Sequence, residues 1–89
     1  MITAKLTIVN RLGLHARAAT KLAALCGRYP CSVRCGRDGQ LVDAKSIMSL
    51  MLLAAPKGSE LLFEFDGEEQ HEARDAVAEL LADFFGEGG

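Results

Sequence analysis

Residues 31–43 read Cys31-Ser32-Val33-Arg34-Cys35-Gly36-Arg37-Asp38-Gly39-Gln40-Leu41-Val42-Asp43. Cys31, Val33 and Cys35 alternate with Ser32 and Arg34, the period-two pattern of a strand that buries one face. Asp38-Gly39 favours a tight hairpin because both residue types tolerate positive φ. The stretch therefore predicts strands at Cys31–Cys35 and Gln40–Asp43, joined across Gly36, Arg37, Asp38 and Gly39. An antiparallel sheet can leave one face in water, so the rest of the chain has to supply what covers the other.

Upstream, Ile2, Ala4, Leu6 and Ile8 alternate with Thr3, Lys5 and Thr7, which predicts a first strand buried on one side. From Ala16 to about Gly27, Ala19, Leu22, Ala23 and Cys26 fall on one helical face and Arg17, Lys21, Ala24 and Arg28 on the other, with Gly27 placed to stop the helix. Downstream, Ser46–Ala54 is apolar in almost every place. It reads as a short helix with Ser46 as N-cap, punctuated by Pro56-Lys57-Gly58. Leu61, Phe63 and Phe65 alternate with Glu60, Glu64 and Asp66 as a fourth strand ended at Asp66-Gly67.

Ala73, Ala76, Val77, Leu80, Leu81 and Phe84 then recur at helical spacing, with Glu72, Asp75, Glu79 and Asp83 outside. The tail Gly86-Glu87-Gly88-Gly89 is expected to fray. The order is β-α-β-β-α-β-α. It satisfies burial as an α+β fold in which three helices cover one face of a four-stranded antiparallel sheet.

At 89 residues the chain predicts one domain, residues 1–89, that hides roughly 60–65% of its extended surface and has no room for a deep cavity of its own. An enzyme with an enclosed pocket is not expected. No apolar run approaches the roughly 20 residues of a membrane span, and no basic-then-apolar leader opens the chain, which points to the cytoplasm without membrane insertion. Three cysteines, an odd number with no C-x-x-C pair, read as reduced core thiols and not as metal ligands. Net charge is −2, yet residues 1–45 hold eight Lys/Arg against two Asp/Glu, and residues 46–89 hold two against ten. The basic half suits an anionic group or an acidic partner.

Between the first strand and the first helix stands Asn10-Arg11-Leu12-Gly13-Leu14-His15-Ala16-Arg17. Free N–H groups at a helix start favour a bound anion without any dedicated side chain. Arg17 adds a planar fork of donors, Gly13 a tight approach, and His15 an imidazole that is nucleophilic near neutral pH. The spacing supports phosphorylation of His15 itself. A lone His beside an Arg would by itself read only as a helix cap on a wet basic surface, and His71, in the acidic opening of the last helix, takes no role.

These eight residues, with Asp43-Ala44-Lys45-Ser46-Ile47-Met48 and Lys57-Gly58 further on, resemble the histidine-containing phosphocarrier proteins (HPr) of the phosphoenolpyruvate-dependent phosphotransferase system. The element order is similar to that family's open-faced β-sandwich over essentially the whole chain. The resemblance implies a phosphoryl group taken from Enzyme I onto Nδ1 of His15 and handed to an IIA-type acceptor, with Arg17 steadying the phosphoryl oxygens. It also implies that the amides of Ala16 and Arg17 are the phosphate-binding backbone at that helix start. It implies a carrier, not a free-standing enzyme, with no cofactor. The family's active segment usually has Pro after the Arg, where this chain has Ala18. A small residue there resembles the branch tied to nitrogen-related regulation, which leaves the downstream acceptor open.

The same resemblance makes Ser46 a site of regulatory phosphorylation by an HPr kinase/phosphorylase. It also turns Leu50 and Leu53 inward and leaves Ile47, Met48, Met51 and Leu52 near His15 as an apolar docking patch. Periodicity alone does not choose between those faces of the second helix. A second reading keeps the fold but makes the chain a regulatory docking module whose phosphorylation state signals to kinases, transcription factors or transporters. His15 and Arg17 together favour transfer. A nucleic-acid binder is disfavoured by an isoelectric point near 5.6 and few aromatics, and a monomer is expected of a carrier that exposes its site.

Overall fold

The computed structural model describes residues 1–87. Its elements are β1 (Ile2–Thr7), α1 (Ala16–Cys26), β2 (Ser32–Arg37), β3 (Gln40–Asp43), α2 (Ile47–Leu53), β4 (Glu60–Asp66), α3 (Gln70–Ala82) and a closing 3-10 turn, Phe84–Gly86. The four strands form one antiparallel sheet in the order β1-β4-β2-β3. β4 is central, with Phe63 opposite Ala4 on one side and Cys35 on the other.

Period-two alternation decides which face is covered. Val33, Cys35, Leu61, Phe63 and Phe65 are buried, while their neighbours Ser32, Arg34 and Glu60 are exposed. Phe63 and Phe65, two residues apart on the same side, stack with ring centroids 6.0 Å apart. Ala19, Leu22, Ala23 and Cys26 of α1 and Ala73, Val77 and Leu81 of α3 close over this layer. Leu50 is the fully buried residue of α2, and Leu53 packs at the edge of the core.

The hairpin is tighter than its sequence suggests. β2 runs through Gly36 and Arg37, so the turn is only Asp38-Gly39, both at positive φ (56° and 79°), and Arg37 pairs with Gln40. Gly36 is a strand residue: a Cβ there would collide with the carbonyl oxygen of Gln40 across the ladder.

A second departure is at the chain's end. Helical spacing would have carried Phe84 inward, but α3 stops at Ala82 and the backbone reverses hand, with φ of 57°, 52° and 75° at Phe84, Phe85 and Gly86. That reversal turns Phe84 toward solvent and buries Phe85 completely. Of the tail expected to fray, Gly86 is exposed but its N–H donates to the Asp83 carbonyl at 2.9 Å, and Glu87 is half-buried and held by Asn10 and His15; Gly88 and Gly89 lie outside the described residues.

Cys26, Cys31 and Cys35 are free and fully buried. Desolvation pushes the Cys26 and Cys35 thiols up to about 12, far from the reactive thiolate form. Among the described residues no helix is long and apolar enough to cross a membrane.

Candidate functional site

The loop before α1 is fixed by its backbone. The Gly13 N–H donates to the Asn10 carbonyl (3.2 Å), the Leu14 N–H donates to the Ala55 carbonyl (2.8 Å), and Leu14 is buried. Gly13 has φ +69°, and a Cβ on it would lie 2.5 Å from the Ala55 oxygen and 2.9 Å from Pro56 Cα. Only glycine meets both conditions, and the outcome is that the next residues enter α1 at a set angle.

His15 is the N-cap of α1. Its backbone is extended and its Nδ1 accepts the Arg17 N–H at a long 3.4 Å. The cap role read from sequence as the ordinary alternative is thus present, and it puts Nδ1 against the amide end of the helix, where developing negative charge is favoured. Arg17 is exposed and its side chain makes no hydrogen bond or ion pair among the described residues, so its guanidinium is available to an incoming anion. Ala18 is fully buried.

The other ring nitrogen has a partner that the sequence did not announce. His15 Nε2 lies 2.5 Å from Glu87 Oε2, and Glu87 Oε1 accepts from Asn10 Nδ2 at 3.0 Å. Because Nδ1 accepts an N–H, the ring proton belongs on Nε2, donated to the carboxylate. Asn10 is fully buried and also donates to the Gly13 carbonyl at 2.8 Å. Desolvation works against the charged form of Glu87. Hydrogen bonds from Asn10 and His15, with the nearby charges of His15 and Lys21, outweigh it and hold the carboxyl below its ordinary value of 4.5. Asn10 stood in the quoted motif without a role, and Glu87 was read as a frayed end. An acid between glycines carries no periodic signal, and the contact spans 72 residues.

Ser46 is half-buried at the start of α2, its Oγ accepting from the Ser49 N–H at 3.2 Å. Asp43 Oδ1 accepts from the Lys45 N–H (2.9 Å), and Lys45 Nζ donates to the Tyr29 carbonyl (2.9 Å), so that segment of the motif builds the turn that sets the cap. Ile47, Met48, Met51 and Leu52 are 41%, 70%, 43% and 81% exposed, an apolar surface unusual for so short a helix. Met51 lines a shallow depression with Leu12, Leu14, His15, Ala16, Ala54 and Ala55. Leu12, 61% exposed, extends that surface from the opposite side and was not anticipated. His71 is exposed on α3. Among the described residues no cluster of three His, Cys, Asp or Glu could hold a metal.

A family model described as "PTS HPr component phosphorylation site" matches residues 2–83. The chain belongs to the HPr family. It is 52% identical over 85 residues to the phosphocarrier protein HPr of Pseudomonas aeruginosa, with 94% of each chain covered. To that of Cupriavidus necator it is 50% identical over 88 residues, with 99% of each covered. The crystal structure of HPr-C-His from Thermoanaerobacter tengcongensis superposes with a TM-score of 0.94 at 31% identity over 98% of both chains. HPr proteins are the phosphocarrier component of the phosphotransferase system, and this chain is such a component, not a free-standing enzyme.

Proposed function

We propose that this chain, as one HPr-like domain over residues 1–89, accepts a phosphoryl group on Nδ1 of His15 from phospho-Enzyme I and passes it to an IIA-type acceptor. The observation that carries the reading is the placement of His15: an N-cap whose Nδ1 accepts a helix amide and whose Nε2 is engaged elsewhere. A phosphoryl group on Nδ1 would meet the amides of Ala16 and Arg17 and the free Arg17 guanidinium, the donors that stabilise transferring phosphate. The shallow setting lets two partners reach one atom in turn, and the exposed Ile47, Met48, Met51 and Leu52 supply the surface on which they dock, adaptable Met side chains suiting more than one partner.

Ser46 is the site of a second, regulatory phosphorylation by an HPr kinase/phosphorylase in this reading. A phosphate at a helix start is tolerated by the fold, while about two added negative charges repel an acidic partner docking beside it.

The test is incubation with Enzyme I, magnesium and labelled phosphoenolpyruvate. Acid-labile label on the wild type and none on His15→Ala, with the variant's fold intact, is the expected result. Equal labelling of His15→Ala would overturn the mechanism. An unlabelled wild type beside a normally labelled reference HPr would leave the docking-module reading in its place.

A further inference from the structure

Glu87 lies beyond the residues 2–83 that match the family model, and nothing in the phosphoryl-acceptor motif requires it. It is nevertheless held against His15 by an arrangement with its own strains and anchors. Phe84 and Phe85 both adopt left-handed backbone, a conformation that persists in bulky residues only when neighbours over-determine it. Here Phe85 is fully buried and its carbonyl accepts from Lys21 Nζ at 2.7 Å. The next residues are thereby delivered to the mouth of the α1 N-terminus.

The carboxylate itself is gripped at both oxygens, by Asn10 Nδ2 at 3.0 Å and by His15 Nε2 at 2.5 Å. Asn10 cannot turn its amide round, since its oxygen would then face the Gly13 carbonyl and the Glu87 carboxylate. Its Oδ1 is left buried without a partner in the chosen orientation. A buried polar atom left unpaired is costly, and it is tolerated here where the opposite end of the same amide orients a carboxylate. The chain imidazole, carboxylate, amide is the arrangement by which outer groups fix a histidine's tautomer and ring plane.

We propose that Glu87, oriented by Asn10, is a positioning residue for phosphoryl transfer at His15: it keeps the ring proton on Nε2, so that Nδ1 presents its lone pair, and it serves as counter-ion to the ring once Nδ1 is phosphorylated. The inference rests on the carrier reading above. In the first transfer the Nδ1 lone pair forms the N–P bond while the bond from phosphorus to the donor's leaving atom breaks and its electron pair stays with that atom. The Nε2 proton does not move, the ring becomes cationic, and Glu87 faces that charge. In the second transfer the acceptor's nucleophile attacks phosphorus, the N–P electron pair returns to Nδ1, and the same neutral tautomer is restored. A ring that kept no proton on Nε2 would leave as an anion and be a far poorer leaving group. The charged side chain acting on Glu87 from α1 is Lys21, besides His15 itself, and the α2 side of the His15 depression brings only Met51, Ala54 and Ala55.

The experiment compares wild type, Glu87→Gln and Glu87→Asp, each shown to be folded by its amide NMR spectrum, in two measurements. Ring 15N shifts of His15 report the tautomer without any phosphoryl donor, and rates of labelling by Enzyme I and of donation to an IIA acceptor are followed across pH. The expected result is an Nε2-protonated ring in the wild type, a tautomer mixture in both variants, and donation slowed roughly tenfold. A wild type that labels normally, with Glu87→Gln matching it in rate, pH profile and ring shifts, overturns the role of Glu87 and leaves the carrier intact. A wild type that takes no label from an active donor overturns the carrier reading, and this inference with it.

Discussion

Lys21 Nζ donates to the Phe85 carbonyl at 2.7 Å, tying the Phe84–Gly86 turn to the middle of α1 across 64 residues of sequence. The bond fastens a backbone that would not hold its shape unaided. Each left-handed non-glycine residue costs about 1–2 kcal/mol, and Phe84 and Phe85 are two of them. Phe85→Ala is expected to cost about 3 kcal/mol, the low end for a buried Phe because the released turn can relax. Phe84→Gly should cost under about 1 kcal/mol, since the lost packing of a partly exposed ring is offset by relief of the left-handed backbone. Lys21→Met should cost about 1 kcal/mol. Urea midpoints of the three variants check the ranking, and equal losses at Phe84 and Phe85 would contradict the reversal of backbone hand that exposes one ring and buries the other.

Gly13 and Gly39 share positive φ but differ in what surrounds them, which separates backbone strain from close approach. A Cβ on Gly39 meets nothing within 4 Å, whereas one on Gly13 meets the Ala55 oxygen and Pro56 Cα. Gly39→Ala should therefore cost only the left-handed penalty of about 1–2 kcal/mol. Gly13→Ala adds overpacking, for a total of about 2–4 kcal/mol. It should also displace His15, so that phosphoryl acceptance falls more than stability alone explains. Denaturation curves with labelling rates on both variants decide the point, and a Gly13→Ala protein that labels normally would show that the loop does not set the site.

Most elements were legible because burial imposes a period; the second helix, apolar in almost every place, and the strand at Gln40–Asp43 were read from Ser46 as a cap and from the Asp38-Gly39 turn instead. What escaped was set by other physics. Gly36 looked like a turn residue, but it is a glycine demanded by the approach of the Gln40 carbonyl. Phe84 continued the helical spacing of α3, and no local rule predicts that two phenylalanines will switch to left-handed backbone. His15 and Arg17 stood out as candidates because helix-start amides, a guanidinium and an imidazole lie within one short stretch, and because the motif around them resembles that of a known family. Glu87 was not, since its meaning comes from a contact 72 residues away.

Glu87 gives the folded state a pH dependence of definite sign. Its carboxyl is held below the ordinary 4.5, so the folded chain binds the ionised form better than the unfolded chain does. That contribution is complete above the ordinary value and is lost as pH falls through the lowered one. Wild type should exceed Glu87→Gln in urea midpoint at neutral pH, and the gap should narrow as the pH falls below the ordinary 4.5 and close once it has passed the lowered value. A gap independent of pH would mean that the carboxylate charge adds nothing to the contact with Asn10 and His15.

Ser46 allows stability and signalling to be varied separately, because one oxygen serves both. Its Oγ accepts from the Ser49 N–H, so Ser46→Ala removes a cap and should cost about 1 kcal/mol. Ser46→Asp keeps an acceptor at the same place and should be near neutral in urea. The order reverses for transfer from Enzyme I: Ala leaves the surface charge unchanged and should transfer at the wild-type rate, whereas Asp introduces a negative charge beside the exposed Ile47 and Met48. Its effect on encounter should be largest near 10 mM salt, where charges act over about 30 Å, and vanish near 1 M, where they act over about 3 Å. Transfer rates of both variants across that salt range test the reading. A deficit in Ser46→Asp that persists undiminished at high salt would place the cause in lost shape complementarity at the docking surface and not in charge.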